Sequence, residues 1–498
     1  MDTAQMNGVA PAFPADEAPP ADLAGFEDAV RDVRQLLHGA RTGAGLVPDG
    51  ISAFALRALA ARKAVRSLDL QYYIWRDDFT GRLLAREILA AADRGLRVRL
   101  LLDDVYVAGA DRTLAVLAAH PSIEVRIFNA ASWRRWGRLG FALEMLLGRW
   151  RLNRRMHDKL WLADGVLAIL GGRNIGNEYF DASGDFNFRD LDLIVAGEAA
   201  ADAVAIFERY WRDELARPVE SFRSVRRAGR KLPALRRLLR AAAHLPEARP
   251  FLERVRSAPA IRRILAAEDD LVATDAVQIL ADPPEKATGD SIGEGLADAV
   301  HAALGSAERE VLLISPYFVP GERGLAMLTG LARRGVRISV VTNSLAATDV
   351  VVVHGGYARY RRALLEAGVE LYELKRSGRE GIGIFGSRGA SLHTKAFAVD
   401  GELIFVGSFN LDPRSAKLNT EMGGFVRHPV LGERMRAEHD RLADPGRSYR
   451  VTIGPDGRLA WTDVWQRRRR VRHREPDASL RRRMLALAAR ILPIESQL

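Results

Sequence analysis

Short apolar runs separated by tight-turn residues alternate along the chain with segments of helical period. Leu160-Trp161-Leu162 and Val166 to Leu170 flank Asp164-Gly165, and Ala396 to Val399 and Leu403 to Val406 flank Asp400-Gly401. Each set predicts a strand, a tight turn and a second strand. Helical spacing over Gly81 to Arg94 leads through Arg94-Gly95-Leu96-Arg97-Val98 to Leu102-Asp103-Asp104. The same order recurs as a helix over Gly324 to Arg334, then Arg334-Gly335-Val336-Arg337-Ile338 and Thr342-Asn343-Ser344. Gln71-Tyr72-Tyr73-Ile74-Trp75 and Ser315-Pro316-Tyr317-Phe318-Val319-Pro320 each close an apolar strand at a similar separation. The pattern predicts two related α/β sandwich units, arranged with pseudo-twofold symmetry around one shared site.

A chain of 498 residues is long enough for two such units, and its apolar and charged fractions are those of a globular protein. The absence of cysteine rules out a disulfide framework and a thiolate zinc site, and fits the cytosol. No stretch reaches the roughly 18 apolar residues that a spanning helix requires. Residues 1–45 read as a mobile leader rich in Ala, Pro and acid, followed by a first half over 46–204. A helical basic insertion over 205–272 then joins it to a second half over 273–445. The tail, 446–498, reads as a hairpin around Gly454-Pro455-Asp456-Gly457 and an amphipathic helix.

A formal net charge of +11 is a statement about partners. Arginines lie beside apolar helical segments in three places. Trp133-Arg134-Arg135-Trp136 leads into Phe141, Leu143 and Met145 to Leu147, Arg223 to Arg240 is interleaved with Leu and Ala, and Arg467 to Arg474 precedes a stripe of Leu480, Met484, Leu487 and Ile491. These patterns suit an anionic membrane surface, although the first would equally suit a core helix with basic flanks. Neither a nucleic-acid-binding module nor a platform for base stacking is found, so no nucleic-acid partner is expected.

The chemistry is carried by His157-Asp158-Lys159 with Asp164, and by His393-Thr394-Lys395 with Asp400, the same spacing occurring twice. Alternation along a strand turns His and Lys at i and i+2 to one face, a potential nucleophile beside a fixed positive charge. Each copy is followed by a small-residue turn ending in Asn, at Gly171-Gly172-Arg173-Asn174 and Gly407-Ser408-Phe409-Asn410. Asp190, Asp192 and Glu421 open later apolar runs and could orient the histidines. Asp192 and Glu421 are ranked first for that role, with the choice between Asp190 and Asp192 left open. Asp164 and Asp400 belong to the motif, but their place in Asp-Gly corners also suits turn shaping.

The doubled motif with its Gly-Gly-x-Asn and Gly-Ser-x-Asn followers resembles the phospholipase D superfamily. Within it the match looks closest to bacterial cardiolipin synthases that lack amino-terminal transmembrane helices. The likeness runs from about Gly50 to the carboxyl end, through Asn153-Arg154-Arg155-Met156-His157, Gly172 to Tyr179, Leu411-Asp412-Pro413-Arg414-Ser415 and Leu492-Pro493-Ile494-Glu495. A departure is Val105-Tyr106-Val107, where that family more often has Asn, Gly and Thr.

The resemblance implies a catalytic set of His157, Lys159, Asp164, His393, Lys395 and Asp400, with Asn174 and Asn410 as substrate donors and no cofactor or metal. It implies His157 as nucleophile, forming a phosphohistidine, and His393 as acid and base. The expected reaction is phosphatidyl transfer between phospholipids to give cardiolipin, on the cytoplasmic side of the inner membrane by peripheral attachment. The alternatives are phospholipase D hydrolysis and, less favoured, a nucleic-acid phosphodiesterase.

Overall fold

A computed structural model of the protein describes residues 41–147, 150–223, 225–256, 271–289, 295–376, 389–465 and 468–491. Two large sheets dominate it. The first runs from Val272–Ala273 through Thr42–Val47, Asp192–Gly197, Leu167–Gly171, Lys159–Ala163, Ser67–Tyr72, Arg97–Asp103 and Ile123–Phe128 to Ala216–Pro218. The second runs from Val277–Ala281 through Met422–Arg427, Leu403–Gly407, Ala396–Val399, Glu310–Ile314, Arg337–Asn343, Glu370–Leu374 and Ser448–Ile453 to the tail strands Leu459–Trp465 and Arg468–Arg472. Apart from the edge strand Val272–Ala273 and the last two tail strands, the sheets correspond strand for strand. In both, the strand before the motif hairpin pairs antiparallel with it on one side and parallel with its successor on the other. The duplication legible in the sequence is thus a duplication of topology.

Strands buried on both faces read as continuous apolar runs, and here each face has its own partner. Leu160, Leu162, Leu170 and Leu193 of the first sheet share one core with Ala396, Ala398, Ile404 and Val406 of the second. The fit is close enough that a Cβ at Gly424 would stand 2.4 Å from a methyl carbon of Leu193. Trp161, Ile169 and Ile194 face the other way, into a core closed by the helices Gly50–Lys63 and Phe79–Asp93. The second half mirrors this with Gly321–Arg333 and Val351–Glu366. The result is a four-layer sandwich of helices, two sheets and helices.

Several boundaries differ from expectation. The expected leader, 1–45, overlaps the first strand, because Thr42–Val47 pairs with Asp192–Gly197 along its whole length. Residues 1–40 lie outside the described residues. The described part of the basic insertion does not bridge the halves: its helices Leu232–Ala241 and Ala248–Arg256 cover the first half. Phe251 meets Phe54 and Phe79 edge-on at 4.9 and 5.4 Å. The tail does contain the expected hairpin and a helix over Leu480–Ile491. That helix packs through Ala486 and Ala489 against Gly355, which leaves its larger apolar side chains exposed.

Candidate active site

The two motif histidines sit just before the motif strands, at the seam between the halves. The backbone fixes them there from both sides. His157 N–H donates to the Thr420 carbonyl at 2.9 Å, and His393 N–H donates to the Arg189 carbonyl at 2.7 Å. The short strands Asn187–Arg189 and Ala390–Leu392 pair in parallel across the same seam. Each histidine is therefore stitched to the segment of the other half that carries a carboxylate.

Those carboxylates meet the imidazoles directly. His157 Nδ1 lies 2.8 Å from Glu421 Oε2, and His393 Nδ1 lies 2.6 Å from Asp190 Oδ2. The exchange is reciprocal, so neither half holds a complete histidine–carboxylate pair. Asp190 is thus the partner, which corrects the ranking of Asp192. Asp192 stands inside the strand and is held by two buried arginines, Arg57 at 2.7 Å and Arg173 at 3.1 Å. The register shows the equivalence that the chain alone does not: Asp190-Leu191 and Glu421-Met422 stand at matching positions, because Gly171 pairs with Asp192 as Gly407 pairs with Gly423.

Both carboxylates are fixed by neighbours that pattern reading did not single out. Ser408 Oγ donates to Glu421 Oε2 at 2.5 Å and Ser415 Oγ to Oε1 at 2.8 Å. Asp190 takes the Leu191 N–H at 2.9 Å, and its carboxylate crowds Gly172, where a Cβ would stand 2.5 Å from Oδ1. Glycine at 172 and serine at 408 thus answer two carboxylates of different reach. Aromatic rings wall the imidazoles: Tyr73 lies edge-on to His157 at 4.9 Å, and Tyr179 and Phe188 lie 5.3 and 4.8 Å from His393.

The lysines are buried beside the histidines, and each ammonium donates to the carbonyl of its own motif histidine. Burial pulls Lys159 down to about 7 and Lys395 to about 8, against the pull of nearby carboxylates. Burial also lowers both histidines to about 4, and the lysine charges add to it, outweighing Glu421 and Asp190. Although burial pushes Glu421 and Asp190 up, their histidine and lysine neighbours hold both below the ordinary carboxylate range. At neutral pH the imidazoles are neutral. Each donates Nδ1–H to its carboxylate and keeps the Nε2 lone pair.

The remaining motif residues divide. Asp164 and Asp400, carried with the catalytic set, lie at the far end of the hairpins. Their oxygens accept the backbone N–H groups of Val65, Arg66 and Ser67 and of Glu308, Arg309 and Glu310. Both residues have φ 53 within Asp-Gly turns. They are turn and cap residues, which corrects their catalytic placement. Asn174 is likewise engaged inside the protein, accepting from Ile74 N–H at 3.2 Å and donating to Tyr179 OH at 3.0 Å. Asn410 differs, because its side-chain oxygen is buried without a hydrogen-bond partner.

Among the described residues, His354, Glu373 and Glu475 could in principle gather around a cation. Arg361 already fills that place, with its guanidinium 2.8 Å from Glu475, 3.2 Å from Glu373 and 2.9 Å from His354 Nε2.

Two imidazoles backed by carboxylates, with two lysines between paired α/β sheets, define the phospholipase D class of phosphodiester chemistry. Residues 59–211 and 300–443 match the family model described as "Cardiolipin synthase, PLD-like domain". Cardiolipin synthase C of Escherichia coli is 39% identical over 470 residues, covering 92% of this chain and 96% of that protein. An uncharacterised protein of Helicobacter pylori is 33% identical over 450 residues, covering 90% and 88%. The crystal structure of phosphatidylserine synthase from Haemophilus influenzae superposes with a TM-score of 0.57 over 93% of this chain and 100% of that one, at 13% identity, a likeness of fold. The chain belongs to the cardiolipin synthase family of phospholipase D-like enzymes.

Proposed function

We propose that the protein transfers a phosphatidyl group from one phospholipid to the free hydroxyl of phosphatidylglycerol, forming cardiolipin and releasing the donor headgroup. The observation that carries this reading is the crossed pairing of His157 with Glu421 and of His393 with Asp190. A phosphodiester bound between the imidazoles meets a lone pair on one side and, once the other ring is protonated, an acid on the other. Its own negative charge favours that protonation, against the desolvation that lowers both histidines. His157 Nε2 forms the P–N bond as the P–O bond to the leaving headgroup breaks, and that oxygen takes the proton from His393. His393 then removes the proton from the incoming hydroxyl, whose oxygen displaces His157 from phosphorus. Lys159 and Lys395 neutralise the phosphoryl oxygens, and Asn410 is assigned by family likeness as a further donor through its amide nitrogen. The near symmetry of the pairs leaves the assignment of His157 as nucleophile resting on family likeness.

The substrates are membrane lipids, and no helix among the described residues is long and apolar enough to cross a bilayer. Peripheral attachment to the cytoplasmic face of the inner membrane fits two exposed apolar surfaces. One comprises Trp136, Leu139 and Leu146 on the segment leading into His157, the other Leu480, Met484, Leu487 and Ile491 of the tail.

The test is incubation of purified protein with vesicles of phosphatidylglycerol, with and without phosphatidylethanolamine, and mass spectrometry of the products. Cardiolipin is the expected product. Phosphatidic acid alone would make the enzyme a hydrolase. Cleavage of oligonucleotides with every lipid left intact would overturn the lipid reading.

A further inference from the structure

The departure at Val105-Tyr106-Val107 opens onto a cavity of about 750 Å³ that the chemistry of the site does not use. It lies between the first-half sheet, the helices Phe79–Asp93 and Asp111–Leu117, and the insertion helix Leu232–Ala241. Its floor is aliphatic, with Ile88, Leu100, Leu102, Leu114 and Leu239 all buried. Tyr106 stands at its mouth. The Tyr106 ring meets Tyr73 edge-on at 5.1 Å, and Tyr73 meets His157 in the same way at 4.9 Å. Two aromatic rings therefore lie between the cavity and the His157 imidazole, a separation that a lipid would span between its phosphate and its acyl ester.

The rim has a matching charge. Asp77 is paired with Arg82 at 2.7 Å, and Asp78 caps the helix Phe79–Asp93 by accepting from Gly81 N–H at 2.9 Å. Arg112 and Lys231 are exposed at the rim, and among the described residues neither is engaged in an ion pair. An apolar floor and a cationic rim, two packed aromatic rings from the nucleophile, suit an anionic lipid whose chain enters the floor.

We infer that this cavity seats one acyl chain of the phospholipid whose phosphate reaches His157, so that the basic insertion serves as one wall of a chain-length-reading lipid site. The inference rests on the proposed lipid reaction. It also gives the insertion a purpose beyond surface charge. A cavity of this volume falls within the range of specific ligand pockets, and burial of each methylene favours binding about fourfold until the floor is filled.

The experiment uses the full-length protein and phosphatidylglycerol carrying a photoreactive diazirine near the end of one acyl chain, presented in detergent micelles. After irradiation and proteolysis, cross-linked peptides are expected to map to Asp111–Leu117 and Leu232–Ala241. In parallel, Ala234→Trp and Thr113→Trp, both at exposed lining positions, are compared with the parent on sixteen-carbon and six-carbon phosphatidylglycerol. The ratio of long-chain to short-chain kcat/KM is expected to fall at least about tenfold, and thermal denaturation of each variant reports its folding. Cross-links confined to other segments, or an unchanged ratio in folded variants, would overturn the acyl site. Failure of the parent to transform any phospholipid would instead overturn the lipid reaction, so the two failures are told apart.

Discussion

Asp190, just before the strand Asp192–Gly197, and Asp192, its first residue, stand two positions apart and serve different groups. Asp190 accepts from an imidazole, whereas Asp192 neutralises Arg57 and Arg173 inside the first half. The substitutions should therefore separate. Asp190→Asn, like Glu421→Gln, is expected to lower kcat by about 10³ to 10⁴, the scale seen when an orienting carboxylate is removed, with little change in melting temperature. Asp192→Asn is expected to destabilise by about 3 kcal/mol, since a buried pair loses one partner, while the surviving folded fraction keeps its kcat. Kinetics and thermal denaturation on the same preparations decide it, and the reverse pattern would return the orienting role to Asp192. The histidines and lysines were legible in the chain because spacing and duplication point to the same residues. Asp190 was not, because both aspartates open the same apolar run and only register tells which one faces the seam. The titration follows from burial as well. The nucleophilic histidine must be neutral, so kcat, read with the phosphodiester bound and its charge favouring protonation of His393, should rise as pH passes about 4. Binding needs charged lysines, so it should fall as pH passes about 7 to 8. A soluble phosphodiester assayed from pH 3.5 to 9 should show an optimum on the acid side of neutrality, and activity still rising between pH 8 and 9 would refute the assignment.

The motif hairpins show at the scale of elements why a shared spacing does not imply a shared role. In both copies the aspartate follows its strand into a turn with positive φ, which Asn and Gly tolerate and most residues resist. Its carboxylate gathers consecutive backbone N–H groups at the start of the neighbouring strand, Ser67–Tyr72 in one half and Glu310–Ile314 in the other. The spacing from histidine is thus the length of one strand. Asp164→Ala or Asp400→Ala should cost about 1 to 3 kcal/mol through lost hydrogen bonds and backbone strain, and Asn at either position should recover much of it. Turnover of folded enzyme should stay within a fewfold in all four variants. A thousandfold loss of kcat in Asp164→Asn with an unchanged melting temperature would put the residue back in the chemistry. Hairpins and repeat order were readable from apolar runs and Asp-Gly corners. The placement of the insertion on the first half was not, because its arginine-rich period is the same for a helix that covers a core as for one that is solvated. Among the described residues, Leu239, Ala242, Ala248 and Phe251, buried in the first-half core, distinguish the two.

Taken whole, the molecule holds the histidines and lysines at the seam and carries exposed apolar side chains on outer helices. The tail helix belongs to both parts. Its arginines work inward, Arg482 donating to the carbonyls of Leu345 and Thr348 and Arg483 to that of Glu475. The first of these lies one short step from the site, because the Asn343 side chain donates to the Leu392 carbonyl next to His393. The same helix turns Leu480, Met484, Leu487 and Ile491 outward, each 57–75% exposed. Removing the helix would therefore disturb the catalytic body as well as any docking, so substitution of the stripe is the cleaner probe. Serine at all four positions keeps the inward bonds and the Ala486 and Ala489 packing. Partition onto vesicles rich in phosphatidylglycerol should then fall by about tenfold or more, since each large apolar side chain contributes on the order of 1 kcal/mol even when only partly inserted. The loss should persist at high salt, because it removes apolar rather than electrostatic attraction, which salt screens. Hydrolysis of a water-soluble phosphodiester should be unchanged. Equal vesicle binding by the serine variant and the parent in a flotation assay would remove the stripe from the membrane contact. The exposed Trp136, Leu139 and Leu146 surface, which leads into His157, would then have to hold the enzyme to the lipid by itself.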